Sequence, residues 1–327
     1  VDFNNLEREL TGYLTLKYKL PCSTISEVIY FENYAFIIYC YEESIGEDRG
    51  LLQDIMVKYD DLHEIPQSII DNIRTIVKAY TSHFNDSIDI KCDYPLKFFF
   101  SDRINRMLTE WYSTELWMDY RVNINGFSGK TTREIVKDCK TYFENQQMTK
   151  GVLSHGDPNL FNIGILPIFF DFCSSGYNPI NADMAVLITS TVLFDCYLAP
   201  IYHEQSFYEH VKGLYNKSIF SPNIKYTIDN ERAEIRAIFD LSTSLIRYKY
   251  LQIVDEELKY INIKLDKNMK YFIAFRFISV FNLTHMDIVD RIYCISLMHY
   301  FYHLIDGLDD DDNVFIRIID NYRILKE

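Results

Sequence analysis

The chain has 327 residues, 48% of them hydrophobic, and a formal net charge of −14. That length and apolar content allow a large buried core and two lobes or domains, and they exclude an intrinsically disordered chain. The negative charge argues against nucleic acid or an anionic membrane as partner, because both would repel it, and it favours a cationic ligand. Tyr (26) and Phe (23) are abundant, which points to aromatic-rich packing. Seven cysteines, an odd number without CxxC or CxxH pairs, point to reduced thiols in a cytoplasmic protein and away from a disulfide framework or a zinc site. No signal-like segment heads the sequence, and no apolar run approaches a membrane span. The nearest, Tyr271 to Asn282, is short and broken by Arg276.

In chain order, the first residues read as a helix. Asn4 and Asn5 offer a cap, Leu6, Leu10, Tyr13, Leu14 and Leu16 to Tyr18 an apolar face, and Leu20-Pro21 a stop. Ile25 to Phe31 and Tyr34 to Tyr41 read as strands joined at Glu32-Asn33, followed by the polar stretch Glu42 to Gly50. Lys17 and Lys19 read as surface lysines. Pro66 to Phe84 has helical periodicity through Ile69, Ile70, Ile73, Ile76, Val77 and Tyr80. Ile88 to Phe100 is mixed, and Asp102 to Trp117 looks helical. NGFSGKTT, Asn125 to Thr132, is not a phosphate loop, because the first glycine of G-x-x-x-x-G-K-T would fall on Ile124. Gly126 and Gly129 then mark a turn, and Thr131 or Thr132 caps a helix from Glu134 to Gln146.

Val152 to Gly176 concentrates the chemistry. Four residues separate Asp157 from Asn162, as in the pattern H-R-D-x-x-x-x-N, with His155 two positions before the Asp and Gly156 in place of the Arg. In that pattern the Asp directs an acceptor hydroxyl and the Asn is a neutral oxygen ligand for magnesium. Ile163 to Ile165 and Ile168 to Phe170, joined at Leu166-Pro167, read as a hairpin that ends on Asp171, a carboxylate able to bridge magnesium to phosphates. Further on, Ile180 to Leu198 reads as a buried helix or helix pair. Phe207 to Tyr215, Asn230 to Tyr250, Asn268 to Phe281 and Met286 to Ile305 read as helices, giving an α-helical C-terminal third. His299 and His303 read as helix packing, and Asp309 to Asp312 as a solvated loop.

HGDPNLFN, then FFDF, then GYNP at Gly176 to Pro179 resembles the aminoglycoside phosphotransferase and choline kinase superfamily, small-molecule kinases with a protein-kinase-like fold. The resemblance implies an α+β, two-lobe fold. Residues 1–43 would be the remainder of a small N-lobe, incomplete at its N-terminus: an αC-like helix, two strands and a hinge. Residues 44–327 would form a large, mostly α-helical C-lobe, with the catalytic loop at 153–176 and an acceptor-binding helical part from about 200. DLHEI, ending at Ile65, is similar to the family's LH motif.

By the same resemblance Asp157 is the catalytic base, His155 braces the loop, and Asn162 and Asp171 hold Mg2+. Asp183 would be the buried Asp that caps the next helix and supports the loop. Glu9, or Glu7, matches the αC Glu that pairs with an ATP-binding Lys, and the backbone of Tyr39, Cys40, Tyr41 and Glu42 would meet adenine. Two departures stand out. Cys173 occupies a position where many members carry a second acid, and the chain opens at the αC-like helix with Val1, which predicts upstream strands bearing the Gly-rich loop and Lys. The expected activity is ATP- or GTP-dependent O-phosphorylation of a small hydroxylated, cationic molecule. The alternative is a degenerate pseudokinase that acts through partners.

Overall fold

The computed structural model describes residues 3–32, 34–40, 50–87, 90–92, 100, 102–145, 149–194, 224–279, 282–309, 311–321 and 323–324. The fold is mixed α+β. In chain order the main elements are α1 (Phe3–Leu16), β1 (Ile25–Phe31), β2 (Tyr34–Tyr39), α2 (Leu52–Tyr59), α3 (Gln67–Thr81), β3 (Ile90–Cys92), α4 (Asp102–Glu110), β4 (Arg121–Ile124), β5 (Phe127–Thr131), α5 (Thr132–Asn145) and β6 (Thr149–Ser154). They continue with β7 (Gly176–Asn178), α6 (Ile180–Ile188), β8 (Ile224–Asp229), β9 (Glu234–Phe239), β10 (Ser242–Thr243), α7 (Leu245–Tyr260), α8 (Met269–Ser279), α9 (Ile288–Asp306), α10 (Val314–Asp320) and β11 (Arg323–Ile324). Among the described residues no helix is long and apolar enough to cross a membrane.

Contacts divide the chain into two compact units. One comprises Val1–Lys91, Lys150–Thr191 and Ser244–Lys264, the other Cys92–Thr149, Val192–Thr243 and Leu265–Glu327. This partition does not cut at residue 43. The first helix, the strand pair, the 153–176 loop and α7 belong to the same unit.

In that first unit, α1 buries Leu6, Glu9, Gly12 and Leu16, a stripe at helical spacing. Leu14 and Tyr18, expected on the apolar face, are exposed instead, and the helix already includes Phe3, so Asn4 and Asn5 do not cap it. Gly12 is required by close approach: a Cβ there would stand 2.0 Å from the Phe172 carbonyl oxygen. β1 and β2 pair antiparallel from Phe31↔Tyr34 back to Ile25↔Tyr39, so the second strand stops two residues short of Tyr41. α3 buries Ile73, Ile76, Val77 and Tyr80 as its periodicity predicts. A buried ion pair joins the end of α2 to α7. Arg247 Nε and Nη2 donate to the two oxygens of Asp60 at 2.7 and 2.9 Å, Ser244 Oγ donates to the same carboxylate at 2.5 Å, and Arg247 Nη1 donates to Thr191 O at 2.5 Å. His63, in the DLHEI segment, is exposed.

In the second unit a four-stranded sheet has the order β5-β4-β9-β8, with β4 and β9 parallel and the other pairs antiparallel. This corrects the helix expected over Asn230 to Tyr250 and, with it, the all-helical C-terminal third. Ile235, Ala237 and Phe239 are buried while Arg236 and Ile238 face out, a period of two that a strand satisfies and a helix cannot. The turn before β9 uses Ala233 at φ 49°, and the helix starts only at Leu245.

Asn125 (φ 46°) and Gly126 (φ 89°) make the two-residue turn between β4 and β5, as an Asn-Gly pair favours, whereas Gly129 lies within β5 rather than in the turn. Thr131 caps α5 reciprocally: its Oγ1 accepts from Glu134 N at 3.1 Å and its amide donates to Glu134 Oε2 at 2.7 Å. The helix expected through Trp117 ends at Glu110, with a short 3-10 turn at Leu116–Asp119. Phe100, Phe143, Phe272 and Phe275 form an aromatic cluster with ring centroids 4.8 to 6.0 Å apart. His299 is buried and meets the Thr132 hydroxyl at 3.1 Å, a packing role. The expected elements at 93–99, 195–198 and 207–215 lie outside the described residues, as do 280–281 at the end of the helix expected through Phe281.

Candidate active site

The 153–176 loop is built by local hydrogen bonds that its sequence encodes. β6 pairs antiparallel with β7, with Ser154 opposite Gly176, so the chain must leave and return within one short excursion. The predicted hairpin forms there: Gly164 N donates to Ile168 O at 2.8 Å, Phe170 N to Asn162 O at 3.0 Å, and Leu166-Pro167 makes the reversal. Two other segments hold its flanks. Leu52 N donates to Ile163 O at 2.7 Å, Ile165 N to Gly50 O at 3.0 Å, and Phe169 N to Pro21 O at 2.9 Å. A hairpin this short has marginal stability alone, so these outside bonds fix its position.

His155 is fully buried and bridges the start and the end of the loop. Its Nδ1 accepts from Asp157 N at 3.3 Å, so the ring proton lies on Nε2, which donates to Phe170 O at 2.7 Å. Burial holds its pKa below the ordinary histidine value, partly opposed by the Asp157 charge, so the imidazole is neutral. Asn162 Nδ2 donates to Asp157 O at 3.0 Å, which turns its Oδ1 the other way. Asp157 Oδ2 accepts from Asn159 Nδ2 at 3.1 Å, and Asn159 Oδ1 accepts from Phe161 N at 2.9 Å. Gly156 sits at φ 81°, where a Cβ would lie 2.0 Å from Ser174 O, so no larger residue fits the turn.

Asp183 supports the loop from α6. Its Oδ2 accepts from Gly156 N at 3.1 Å and from the Tyr80 hydroxyl. It lies within the first turn of α6, whose N-cap is Pro179, so it braces the loop, as the resemblance implied, but does not cap that helix, which the resemblance also implied. Complete burial raises its carboxyl to about 6, against the lowering effect of its hydrogen bonds.

Asp171 leaves the hairpin at φ 58°, a left-handed conformation that Asp tolerates better than most residues. Solvent reaches it, yet the packing around its carboxyl and the Glu9 and Asp157 charges raise its pKa above the usual carboxylate range. Glu9 comes to the same place from α1. Its Oε1 accepts from the Tyr39 hydroxyl, and the donor atoms of Glu9, Asp171 and Cys173 all lie within 4.8 Å of one another. The structure thus brings together Glu9, Tyr39, His155, Asp157, Asn162 and Asp171.

The hinge residues stand differently. Cys40 N donates to Thr24 O at 2.7 Å and Cys40 O accepts from Ser23 Oγ at 3.1 Å, so its backbone is engaged in the strand pair instead of being open to a base. Tyr41 and Glu42 lie outside the described residues. Glu7, the other choice for the αC Glu, is exposed.

Sequence reasoning missed Tyr80 as a partner of Asp183, and no local signal could have given it. It also missed the closeness of Cys173 to Glu9. Gly12 did leave a signal, since a glycine inside a helix costs about 1 kcal/mol relative to alanine and suggests a packing reason.

The oxygen donors of Asn162 and Asp171 suit magnesium, a hard cation, and the Asn162 amide orientation leaves its carbonyl oxygen for that purpose. Compared with known protein families and with curated proteins, the chain finds no match.

Proposed function

We propose that this chain is an ATP- or GTP-dependent O-phosphotransferase of the aminoglycoside phosphotransferase and choline kinase superfamily, with a protein-kinase-like two-lobe fold. The acceptor is a small hydroxylated, cationic molecule, in keeping with a net charge of −14. One observation carries the reading: Asp157, Asn162 and Asp171 are held in order around one braced hairpin, with the Asn162 side-chain amide donating to the Asp157 backbone carbonyl and the Asn162 backbone carbonyl accepting from the Phe170 amide.

Phosphoryl transfer depends on positioning and charge neutralisation more than on covalent chemistry. Asp157 accepts or directs the acceptor's hydroxyl proton. Asn162 and Asp171 hold magnesium, which when bound neutralises the nucleotide phosphates. Neutral His155 fixes the Asp157 backbone and thereby the direction of its side chain.

The test is magnesium-dependent binding and turnover of ATP and GTP by the full chain, with Asp171→Ala as control. Binding that requires magnesium and is lost in the variant supports the reading, and a screen of aminoglycosides, choline-like alcohols and sugars follows. The second reading, a pseudokinase, is favoured by Cys173, which stands where many members of that superfamily carry a second acid. Absence of nucleotide binding at any magnesium concentration selects it.

A further inference from the structure

Asn159 stands in the sequence between the proposed base and the proposed magnesium ligand, and its side chain is bonded at both ends. It follows Pro158 and is the N-cap of the 3-10 turn Leu160–Asn162. Its neighbours dictate which way the amide points. The Phe161 backbone N–H can only donate, so the amide oxygen faces it, at 2.9 Å. The amide nitrogen is thereby turned to Asp157 Oδ2, at 3.1 Å, where a carboxylate oxygen accepts. Reversing the amide would set nitrogen against N–H and oxygen against carboxylate, so only one orientation satisfies both partners. The backbone closes the same turn: Asn159 N donates to Asp157 O at 2.8 Å, and Asn162 N donates to Asn159 O at 3.0 Å.

We propose that Asn159 is a positioning residue for Asp157: by donating to one carboxylate oxygen it holds that side chain in a single orientation before any acceptor arrives. The effect on turnover rests on the phosphotransferase reading, whereas the held carboxylate does not. An aspartate side chain turns about two bonds, and a base that samples several rotamers spends little time where the reacting hydroxyl lies. His155 sets where the Asp157 side chain starts, by accepting from its backbone amide, and Asn159 sets where that side chain ends. A neutral donor does this without placing a second charge beside Asp157. The two ends of the Asn159 side chain have separable tasks. The cap needs only its oxygen, and the hold on Asp157 needs its nitrogen.

Two substitutions keep the cap and remove the donating amide. Asn159→Asp retains an oxygen for Phe161 N but carries no N–H, and Asn159→Ser retains a capping oxygen that lies one atom nearer the backbone. Each is measured in the full chain by far-ultraviolet circular dichroism, by magnesium-dependent ATP binding and by ATP hydrolysis, with water standing in for the acceptor hydroxyl. Both variants should fold as the wild type does and bind magnesium-ATP within about threefold of it, while kcat falls about tenfold to a hundredfold. A residue that only caps the turn would leave kcat unmoved in both. Crystal structures supply a readout that needs no turnover: Asp157 should adopt one rotamer in the wild type and a different or a second one in the two variants. An Asp157 side chain unchanged in both variants overturns the proposal, as does a kcat unchanged from that of an active wild type. If the wild type hydrolyses no ATP, the phosphotransferase falls, and the rotamer comparison alone decides whether Asn159 holds Asp157.

Discussion

The backbone amide of Gly156 donates to Asp183 Oδ2 at 3.1 Å, across 27 positions of sequence, and ties the turn beside Asp157 to the buried helix α6. The same carboxylate takes the Tyr80 hydroxyl. Asp183→Ala leaves both donors buried without an acceptor, so it should lower unfolding free energy by about 2 to 4 kcal/mol, the usual range for orphaning two such groups. Urea denaturation checks this, and a loss below ~0.5 kcal/mol would show that the brace contributes little.

Asp183 also sets a pH dependence. Its folded pKa is raised to about 6 from the ordinary 3.8, mainly by burial, so the folded state holds a proton that the unfolded chain releases between those values. Stability from this group is therefore full below about pH 4 and declines as pH rises to about 6, by roughly 2 to 3 kcal/mol in all. Asp183→Asn removes the titration. Its unfolding free energy should vary less between pH 4 and 6 than the wild type's, and parallel curves would show that Asp183 is not the group responsible.

Glycine positions test the close approaches. In Gly156→Ala the new Cβ would meet Ser174 O at 2.0 Å in a backbone conformation that alanine avoids, and in Gly12→Ala it would meet Phe172 O at 2.0 Å. Each variant should lose at least about 2 kcal/mol, of which the left-handed backbone accounts for roughly 1 kcal/mol in Gly156→Ala alone. Gly12→Ala should do so although alanine is the better helix former. Chemical denaturation reads both, and an increase in stability for Gly12→Ala would show that α1 does not seat against residue 172.

Asp157→Asn keeps the shape of the side chain and loses its basicity. If the phosphotransferase reading holds, turnover should fall about 100- to 10,000-fold, the range for removing a general base, with nucleotide affinity within about threefold of the wild type. A steady-state kcat equal to that of the wild type would exclude Asp157 as the base.

The Asp60–Arg247 pair is 0% and 1% exposed at its two side chains. Arg247→Met strips the cation from a buried carboxylate and should cost about 3 to 5 kcal/mol, whereas Arg247→Met with Asp60→Leu should recover much of that loss. Thermal unfolding of the single and double variants measures the coupling; additive losses would show that the two side chains act independently.

What the sequence disclosed follows from range. The hairpin from Ile163 to Phe170, a turn at Gly126 and a cap at Thr131 or Thr132 were legible from residues within a few positions of one another, whereas Gly129, read into the same turn, lies in β5. β9 was misread because Glu231 to Glu234 reads as helix-forming, although its hairpin partner β8 is local and the alternation of Ile235, Ala237 and Phe239 was present; only its parallel pairing with β4, more than a hundred positions upstream, lay beyond local signals. Tyr80 reaches Asp183 across 103 positions and Arg247 reaches Asp60 across 187, distances over which periodicity carries no information. In the candidate site, Asp157, Asn162 and Asp171 were legible as a spaced set. The gathering of Glu9, Tyr39 and Cys173 around Asp171 was not, since it depends on how α1 packs on residue 172.

The three-segment make-up of the first unit bears on its synthesis. Asp60 leaves the ribosome 187 residues ahead of Arg247, a lag of roughly 10 to 40 seconds at about 5 to 20 residues per second. Throughout that interval the carboxylate has not met its guanidinium, and α3 has no α7 to cover it. The unit that holds the candidate site is thus completed late, after Lys264 has emerged. A nascent chain arrested before that point should expose the α3 face to chaperones and proteases, while one arrested beyond it should not.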